Sequence, residues 1–340
     1  MMANNIFINK FKVSQKNNRV FVIAEAGVSH FGSLKKAKKL IDLAKDSGAD
    51  AVKFQSYITE ELIHHNYKKW FGRMKQKEVN FNFFKKIKEY SEKKKIIFLC
   101  TPHSATAVKW MDKLDIGAIK IGSGEIGNFE FLKSIIRLNK PIIISTGMHE
   151  QKDLIRLRNF FTSYKFKKVI FLKCNTQYPT PDEDINLKNF KMFKKIFKNF
   201  FVGYSDHTDH DLAILGSIML EAKVIEKHIS LDFNVKNAQD WKVSFDKIRL
   251  SEMIRKIRKF EKILGSEELK ISTKEKKSRI WASRSIFAKK DIKKGKKLEI
   301  SDINFLRPGN FLNCSDFAKI NKKKLKKNIK ANTALKFNDF

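Results

Sequence analysis

The stretch Arg19–Gln55, RVFVIAEAGVSHFGSLKKAKKLIDLAKDSGADAVKFQ, contains one complete strand–helix–strand unit. Val20–Glu25 is a short apolar run, Leu34–Ser47 repeats its apolar residues at helical spacing and stops at Gly48, and Ala51–Gln55 is a second apolar run. Outward from this unit the alternation continues. Further strand-like runs fall at Ile96–Cys100, Ala118–Gly122, Ile142–Ser145, Val169–Cys174, Phe201–Tyr204 and Val224–His228. Helical spacing fills the gaps at Phe81–Lys94, Ala105–Leu114, Phe129–Leu138, Lys152–Phe161, Leu187–Phe197 and Asp211–Leu220.

Apolar strands separated by helices predict parallel pairing with both faces buried. Eight such runs within about 230 residues match the count of a closed (β/α)8 TIM barrel, although an open doubly wound sheet would look similar strand by strand. An open sheet gathers its ligand at one switch point, whereas here nearly every run ends in a polar group, which favours the barrel. A last helix, Phe245–Leu264, closes at Gly265, and the polar, aperiodic residues after it read as a linker. The expected organisation is a barrel over 1–270, a linker over 271–280 and a small β-rich or irregular domain over 281–340.

Composition narrows the function classes. The chain has 340 residues, 42% hydrophobic and 31% charged, with only 5 Pro and 14 Gly, which is globular material. A net charge of +35 suits a polyanion partner. Lysines spread along the whole chain, with Phe, Ile and Asn also abundant, point instead to compositional drift, and no nucleic-acid partner is expected. Three cysteines at unrelated spacings argue against a disulfide framework and for a reducing compartment, by default the cytoplasm. Residues 1–19 are polar and interrupted, and no apolar stretch reaches membrane-spanning length, so no membrane association is expected.

Read in order, the run ends supply Glu25; Lys53 and Gln55; Thr101; Lys120, Ser123 and Glu125; Ser145; Asn175 and Thr176; Ser205 and His207; Glu226 and His228. In a barrel these positions meet on one face. His207 and His228 end neighbouring strands, and two neutral imidazoles suit an exchangeable Mn²⁺ or Mg²⁺; a hydrogen-bonded pair of buried histidines is the alternative. Lys53 and Lys120 lie inside apolar strands, where an ammonium is costly unless it faces an anion. With the hydroxyls of Thr101, Ser123 and Ser145 they form a donor set for phosphate or carboxylate, and Gly122-Ser123-Gly124 admits backbone N–H groups. No Walker loop and no G-x-G-x-x-G motif follows a strand.

In this context the chain resembles the sialic acid synthase family. The likeness rests on IAEAGVSHFGS (Ile23–Ser33), GADAVKFQ (Gly48–Gln55), KIGSGEIGN (Lys120–Asn128), PIIISTGM (Pro141–Met148), YPTP (Tyr178–Pro181), GYSDHT (Gly203–Thr208) and EKH (Glu226–His228). Beyond residue 281, RSIFAKKDIKKG (Arg284–Gly295) and LRPGN (Leu306–Asn310) are similar to the family's antifreeze-like (SAF) domain. The resemblance implies condensation of phosphoenolpyruvate with N-acetylmannosamine or a related N-acetylated amino sugar, with phosphate lost by C–O cleavage. It implies metal ligation by His207 and His228, catalytic roles for Glu25, Lys53, Lys120, Glu125 and Glu226, and sugar contacts from Tyr178 and Asp240. It further implies a domain-swapped homodimer in which Arg307 reaches the partner's sugar, although by itself Arg307 reads as a turn-stabilising surface arginine.

Three departures stand out: Ser29-His30 where the family has Asn-His, Asn175-Thr176 where Thr-Asn is usual, and Asn237-Ala238-Gln239 ahead of Asp240 where Pro-Gly-Pro is usual. Two other readings stay open at this level. A different barrel lyase or aldolase would work through a Schiff base at Lys53 or Lys120, and a basic barrel without activity would bind nucleic acid.

Overall fold

The computed structural model describes residues 5–235 and 240–340. Two short strands, β1 (Asn5–Ile8) and β2 (Phe11–Ser14), pair antiparallel at the start. They are followed by β3 (Phe21–Gly27), β4 (Ala51–Ser56), β5 (Ile97–Pro102), β6 (Ile119–Ile121), β7 (Ile142–Ser145), β8 (Val169–Cys174), β9 (Phe201–Asp206) and β10 (Val224–His228). These eight pair in parallel in sequence order, and β10 returns to β3 to close a barrel. Each of the eight overlaps a run read from the sequence.

Residue alternation assigns the two faces. Outward side chains such as Val22, Val52, Phe98, Ile119, Phe171 and Ile225 pack beneath the helices in one apolar layer. The first helix, Leu34–Asp46, is started by Ser33, whose hydroxyl accepts from Lys36 N, and buries Ala37, Leu40, Ile41 and Ala44. Inward side chains Phe21, Ile23, Leu99, Ile143, Leu172 and Phe201 fill the N-terminal half of the lumen. Gly203 faces them: a Cβ there would lie 2.3 Å from Val224 O and 2.6 Å from Leu172 Cδ2, so the lumen closes only with glycine at that point.

The hairpin was not legible in the sequence, where residues 1–19 read as polar and interrupted. Its inward residues Ile6, Ile8 and Val13 belong to the same apolar cluster as the lumen floor and close the barrel's N-terminal end. A turn at Asn9, in the left-handed region at φ 49°, joins its strands.

Compact packing divides the chain at Gly265/Ser266. In the second unit, residues 271–280, read above as linker, lie largely within a helix, Thr273–Ala282, capped by Ser272 and without a buried side chain. Beyond it β11 (Ser285–Ala288) pairs antiparallel with β12 (Ile303–Leu306). A separate core gathers Ile286, Leu298, Ile320, Leu325, Ile329 and Leu335. The lysine-rich run 322–330 is irregular, held by isolated antiparallel bridges at Lys324 and Ile329, with Leu325 and Ile329 buried and its lysines exposed. Among the described residues no helix is long and apolar enough to cross a membrane.

Candidate active site

At the C-terminal ends of the barrel strands lies a cavity of about 520 Å³. Glu25, Lys53, Gln55, Thr101, Lys120, Ser123, Ser145, Thr176, Tyr178, Ser205, His207, Glu226, His228 and Asp240 all line it. Most stand one pleat above the apolar floor, where the inward alternation of each strand meets the mouth.

At its base two carboxylates and two ammonium groups are almost sealed from solvent. Lys53 Nζ lies 3.1 Å from Glu25 Oε2 and 3.4 Å from Glu226 Oε2, and donates to Thr101 Oγ1 at 2.9 Å. Lys120 Nζ is 3.5 Å from Glu226 Oε1 and donates to Ser145 Oγ at 2.7 Å. Ser205 Oγ donates to Glu226 and Gln55 Nε2 to Glu25, at 3.0 and 2.9 Å. Isolated, each charge would cost several kcal/mol to bury; alternation of sign offsets part of that cost.

The pairing is unequal, and the pKa values diverge. Burial, with the Glu226 charge adding to it, outweighs Lys53 and raises the Glu25 carboxyl to about 7. Burial also works to raise Glu226, but Lys120 and Lys53 overcome it and hold Glu226 down at about 2. Burial pulls Lys53 down, yet Glu226 and Glu25 outweigh it, so Lys53 keeps its proton more firmly than a free lysine. Around neutrality Glu25 can exchange a proton while Glu226 stays ionised.

Beside this network is a shelf of small donors. Ser123 opens a single 3₁₀ turn after β6, and its Oγ accepts from Gly147 N at 2.9 Å. A Cβ on Gly147 would lie 2.1 Å from Thr176 Oγ1 and 3.0 Å from Ser123 Oγ, so only bare backbone lets these groups converge. Asn175 is not part of the shelf. Its amide donates to Asp184 O at 2.7 Å and accepts from Lys173 Nζ at 3.2 Å, away from the cavity, while Thr176 faces in. At the Asn175-Thr176 departure the cavity therefore receives a hydroxyl and no amide.

The two histidine rings are 5.2 Å apart between centroids, with Tyr178 stacked on His207 at 4.1 Å. His207 Nδ1 bonds the Asn175 carbonyl, which leaves Nε2 with the lone pair. Burial and the His207 charge lower the pKa of His228 and keep it neutral, and its Nδ1 lies 3.9 Å from Asp240 Oδ2. Against burial, Cys174 and the Asn175 carbonyl hold the His207 pKa above its ordinary value, so a divalent ion at this pair would displace a proton from His207 and complete its shell with substrate and water. Among the described residues no three His, Cys, Asp or Glu side chains gather into a group that could hold a metal ion.

Besides Asn175, two further expected site residues lie elsewhere. Glu125 stands behind the lining: its Oε2 accepts from Asn128 Nδ2 at 2.7 Å, and its Oε1 lies 3.9 Å from Nδ1 of His103, which does line the cavity. Arg307 is an exposed residue of the second unit, its guanidinium 5.9 Å from the centre of the Trp281 ring. Of the Asn237–Asp240 departure, 237–239 lie outside the described residues.

The cavity also holds residues that the strand ends did not disclose. A helix after β4, Lys68–Lys75, contributes Trp70, Arg73 and Met74, and Lys77 follows it. Among 71 Lys and Arg residues these basic groups carry no distinguishing sequence signal. Trp241 and Met148 line it as well, from segments with no strand to mark them.

The NeuB family model matches residues 40–269, and the SAF domain model matches residues 283–340. The chain is 37% identical to the N,N'-diacetyllegionaminic acid synthase of Campylobacter jejuni over 92% of this chain and 97% of that one. It is 34% identical to the pseudaminic acid synthase of the same species, over 95% and 97%. The crystal structure of an N-acetylneuraminic acid synthetase from Leptospira borgpetersenii superposes with a TM-score of 0.76 at 30% identity, covering 82% of this chain and 95% of that one.

Proposed function

This chain belongs to the NeuB family, and on that premise we propose that it is a nonulosonic acid synthase, condensing phosphoenolpyruvate with an N-acetylated amino sugar. The observation that carries the reading is the division of one cavity into an anion-binding side, formed by Lys53, Lys120, Ser123, Ser145 and Thr176, and a histidine side next to Asp240 and Tyr178.

Phosphoenolpyruvate is anchored by the two lysines and the hydroxyl shelf, with Gly147 allowing its phosphate to approach the backbone. His207 and His228 hold a divalent ion, Mn²⁺ or Mg²⁺, which when bound supplies Lewis acidity toward the sugar aldehyde. Tyr178 and Asp240 orient the open-chain sugar so that its aldehyde carbon faces C3 of phosphoenolpyruvate. The C2–C3 π pair of phosphoenolpyruvate forms the carbon–carbon bond as the aldehyde C=O π pair moves onto its oxygen, leaving positive charge at C2 that the ionised Glu226 stabilises; the proton that Glu25 next takes from water is returned to that oxygen. Water adds at C2, and its proton passes to Glu25, whose raised pKa suits it to take and return a proton. The tetrahedral carbon then expels phosphate by breaking its own C–O bond. Glu125 acts through His103, and Arg307 reaches the sugar from a second copy of the chain in a homodimer, working in the cytoplasm.

A Schiff-base mechanism at Lys53 or Lys120 needs a neutral amine: two carboxylates keep Lys53 protonated, whereas burial lowers the Lys120 pKa, and borohydride trapping of a covalent adduct at Lys120 would favour that alternative. Phosphoenolpyruvate labelled with ¹⁸O in its bridging oxygen, incubated with Mn²⁺ and a panel of N-acetylated amino sugars, tests the proposal. Labelled phosphate, a product heavier than the sugar by the pyruvate unit and loss of turnover on chelation are expected. Unlabelled phosphate, or no turnover with any sugar, would refute it.

A further inference from the structure

Lys173 is a buried cation that the reaction above does not use. It stands on β8 between Leu172, part of the lumen floor, and Cys174, which lines the active-site cavity, so alternation turns it outward beneath the helices. It is 7% exposed and, among the described residues, forms no ion pair. Burial pulls its pKa down to about 8, a cost that an apolar side chain at this outward position would avoid.

The ammonium is committed to three neighbours. Nζ donates to Ile185 O at 2.7 Å and to Asn175 Oδ1 at 3.2 Å, and it lies 5.7 Å from the centre of the Tyr204 ring. Asn175 Nδ2 donates in turn to Asp184 O at 2.7 Å, so Lys173 and Asn175 together draw the two ends of the 175–185 loop to one point. At the head of that loop the Asn175 carbonyl accepts from His207 Nδ1, and Cys174 Sγ donates to the same oxygen at 3.5 Å. The pairing of β8 with β9 has ended at Cys174, and Asn175 itself is held by these side-chain bonds.

An imidazole offers a metal only the nitrogen that is free of its proton, and the bond made by the other nitrogen decides which one that is. With the Nδ1 proton held on the Asn175 carbonyl, Nε2 is the nitrogen left for an ion, and the ring's orientation follows the position of that carbonyl.

Resting on the metal assignment of the synthase reading, we infer that Lys173 is a positioning residue for the metal site: from outside the cavity it fixes Asn175, and through the Asn175 carbonyl it fixes the ring of His207 and the nitrogen that meets the ion. The Asn175-Thr176 order gains a purpose in this arrangement. The amide that turns away from the cavity is the arm by which Lys173 holds the carbonyl.

Binding of Mn²⁺ to the substrate-free chain at pH 7 tests this, followed by loss of the free ion's electron paramagnetic resonance signal. The equivalent that disappears in His207→Ala is the one counted. In Lys173→Met, which keeps the apolar stem and deletes the donors, the dissociation constant of that equivalent is expected to rise about tenfold or more. Asn175→Ala should weaken it to a similar degree, and the double variant should bind no more weakly than Asn175→Ala alone, since both act through one carbonyl. A purely structural Lys173 would lower the melting temperature and leave the dissociation constant of the folded chain unchanged, which would overturn the inference, as would additive losses in the double variant. If Lys173→Met does not fold, an unchanged constant in Asn175→Ala overturns it alone. Unchanged constants leave the synthase reading standing, whereas a wild type without a His207-dependent Mn²⁺ equivalent would remove the metal assignment and the inference together.

Discussion

The two ends of the barrel lumen are built from the same strands by the same alternation, yet they follow opposite rules. At the N-terminal end Phe21, Leu99, Ile143 and Phe201 meet the hairpin residues Ile6 and Ile8 in an apolar floor. One pleat further along, Glu25, Lys53, Lys120 and Glu226 occupy equally buried positions. The floor gains by removing apolar surface from water, and the mouth loses by removing charge from it. Activity and stability are thus assigned to separate ends of one tube, and substitutions at each end should have separable effects.

The largest effect expected is at Glu25. As the proton acceptor it must be ionised, so kcat/KM should climb as pH rises through about 7. Glu25→Gln should lower kcat by about 10²–10⁴-fold and erase that inflection. The linkage has a definite sign: the folded chain keeps a proton on Glu25 that the unfolded chain has lost at the same pH. Stability therefore falls as pH rises from the ordinary glutamate range to about 7, and Glu25→Gln should be the more stable protein at pH 8. Denaturant titrations at pH 5.5 and 8 check this; a variant less stable than wild type at both would break the contrast between the ends.

Lys53→Met should be next in size, costing about 10²–10³-fold in kcat by removing charge from the anion-binding side. It leaves Glu25 and Glu226 facing each other, so its melting temperature should fall more at pH 8 than at pH 5.5. Scanning calorimetry at the two values measures the difference.

The smallest effect on turnover belongs to the floor. Ile8→Ala should destabilise the fold by about 2–5 kcal/mol, read from denaturation midpoints, with kcat/KM of the folded fraction unchanged. If turnover fell with stability, floor and mouth would be mechanically coupled and the comparison would fail.

The same contrast explains what the sequence disclosed. The eight barrel strands are near-continuous apolar runs because both faces are buried, and such runs are visible without a partner. The hairpin strands have four residues each, with Phe7 and Lys12 exposed, and their apolar character becomes evident only against the lumen they close. The helix at 273–282 has no buried residue and hence no apolar period to detect. Strand-end polarity located the cavity base because a charge inside an apolar run is conspicuous, as at Lys53 and Lys120. It could not show that Asn175 turns outward or that Glu125 stands behind His103, since side-chain direction after a strand ends is set by the loop's own hydrogen bonds. Arg73 comes from a short helix that buries no residue, and Lys77 and Trp241 from segments outside the barrel strands, so the strand-end pattern did not mark them.

Immediately behind the two histidines sits another buried pair. Lys227 stands directly across from Asp206 in the register of β10 and β9, with Nζ 2.5 Å from Oδ2. Both project outward from the barrel, and each immediately precedes a histidine that faces in. The pair acts as a ruler on the rear of the sheet. A one-residue slip between these strands would separate the opposite charges and turn one imidazole out of the lumen in the same movement. The spacing of the histidines is thus gauged from a side no substrate touches, and attempts to retune this site for a larger or smaller ion would have to begin at Asp206 and Lys227, outside the cavity.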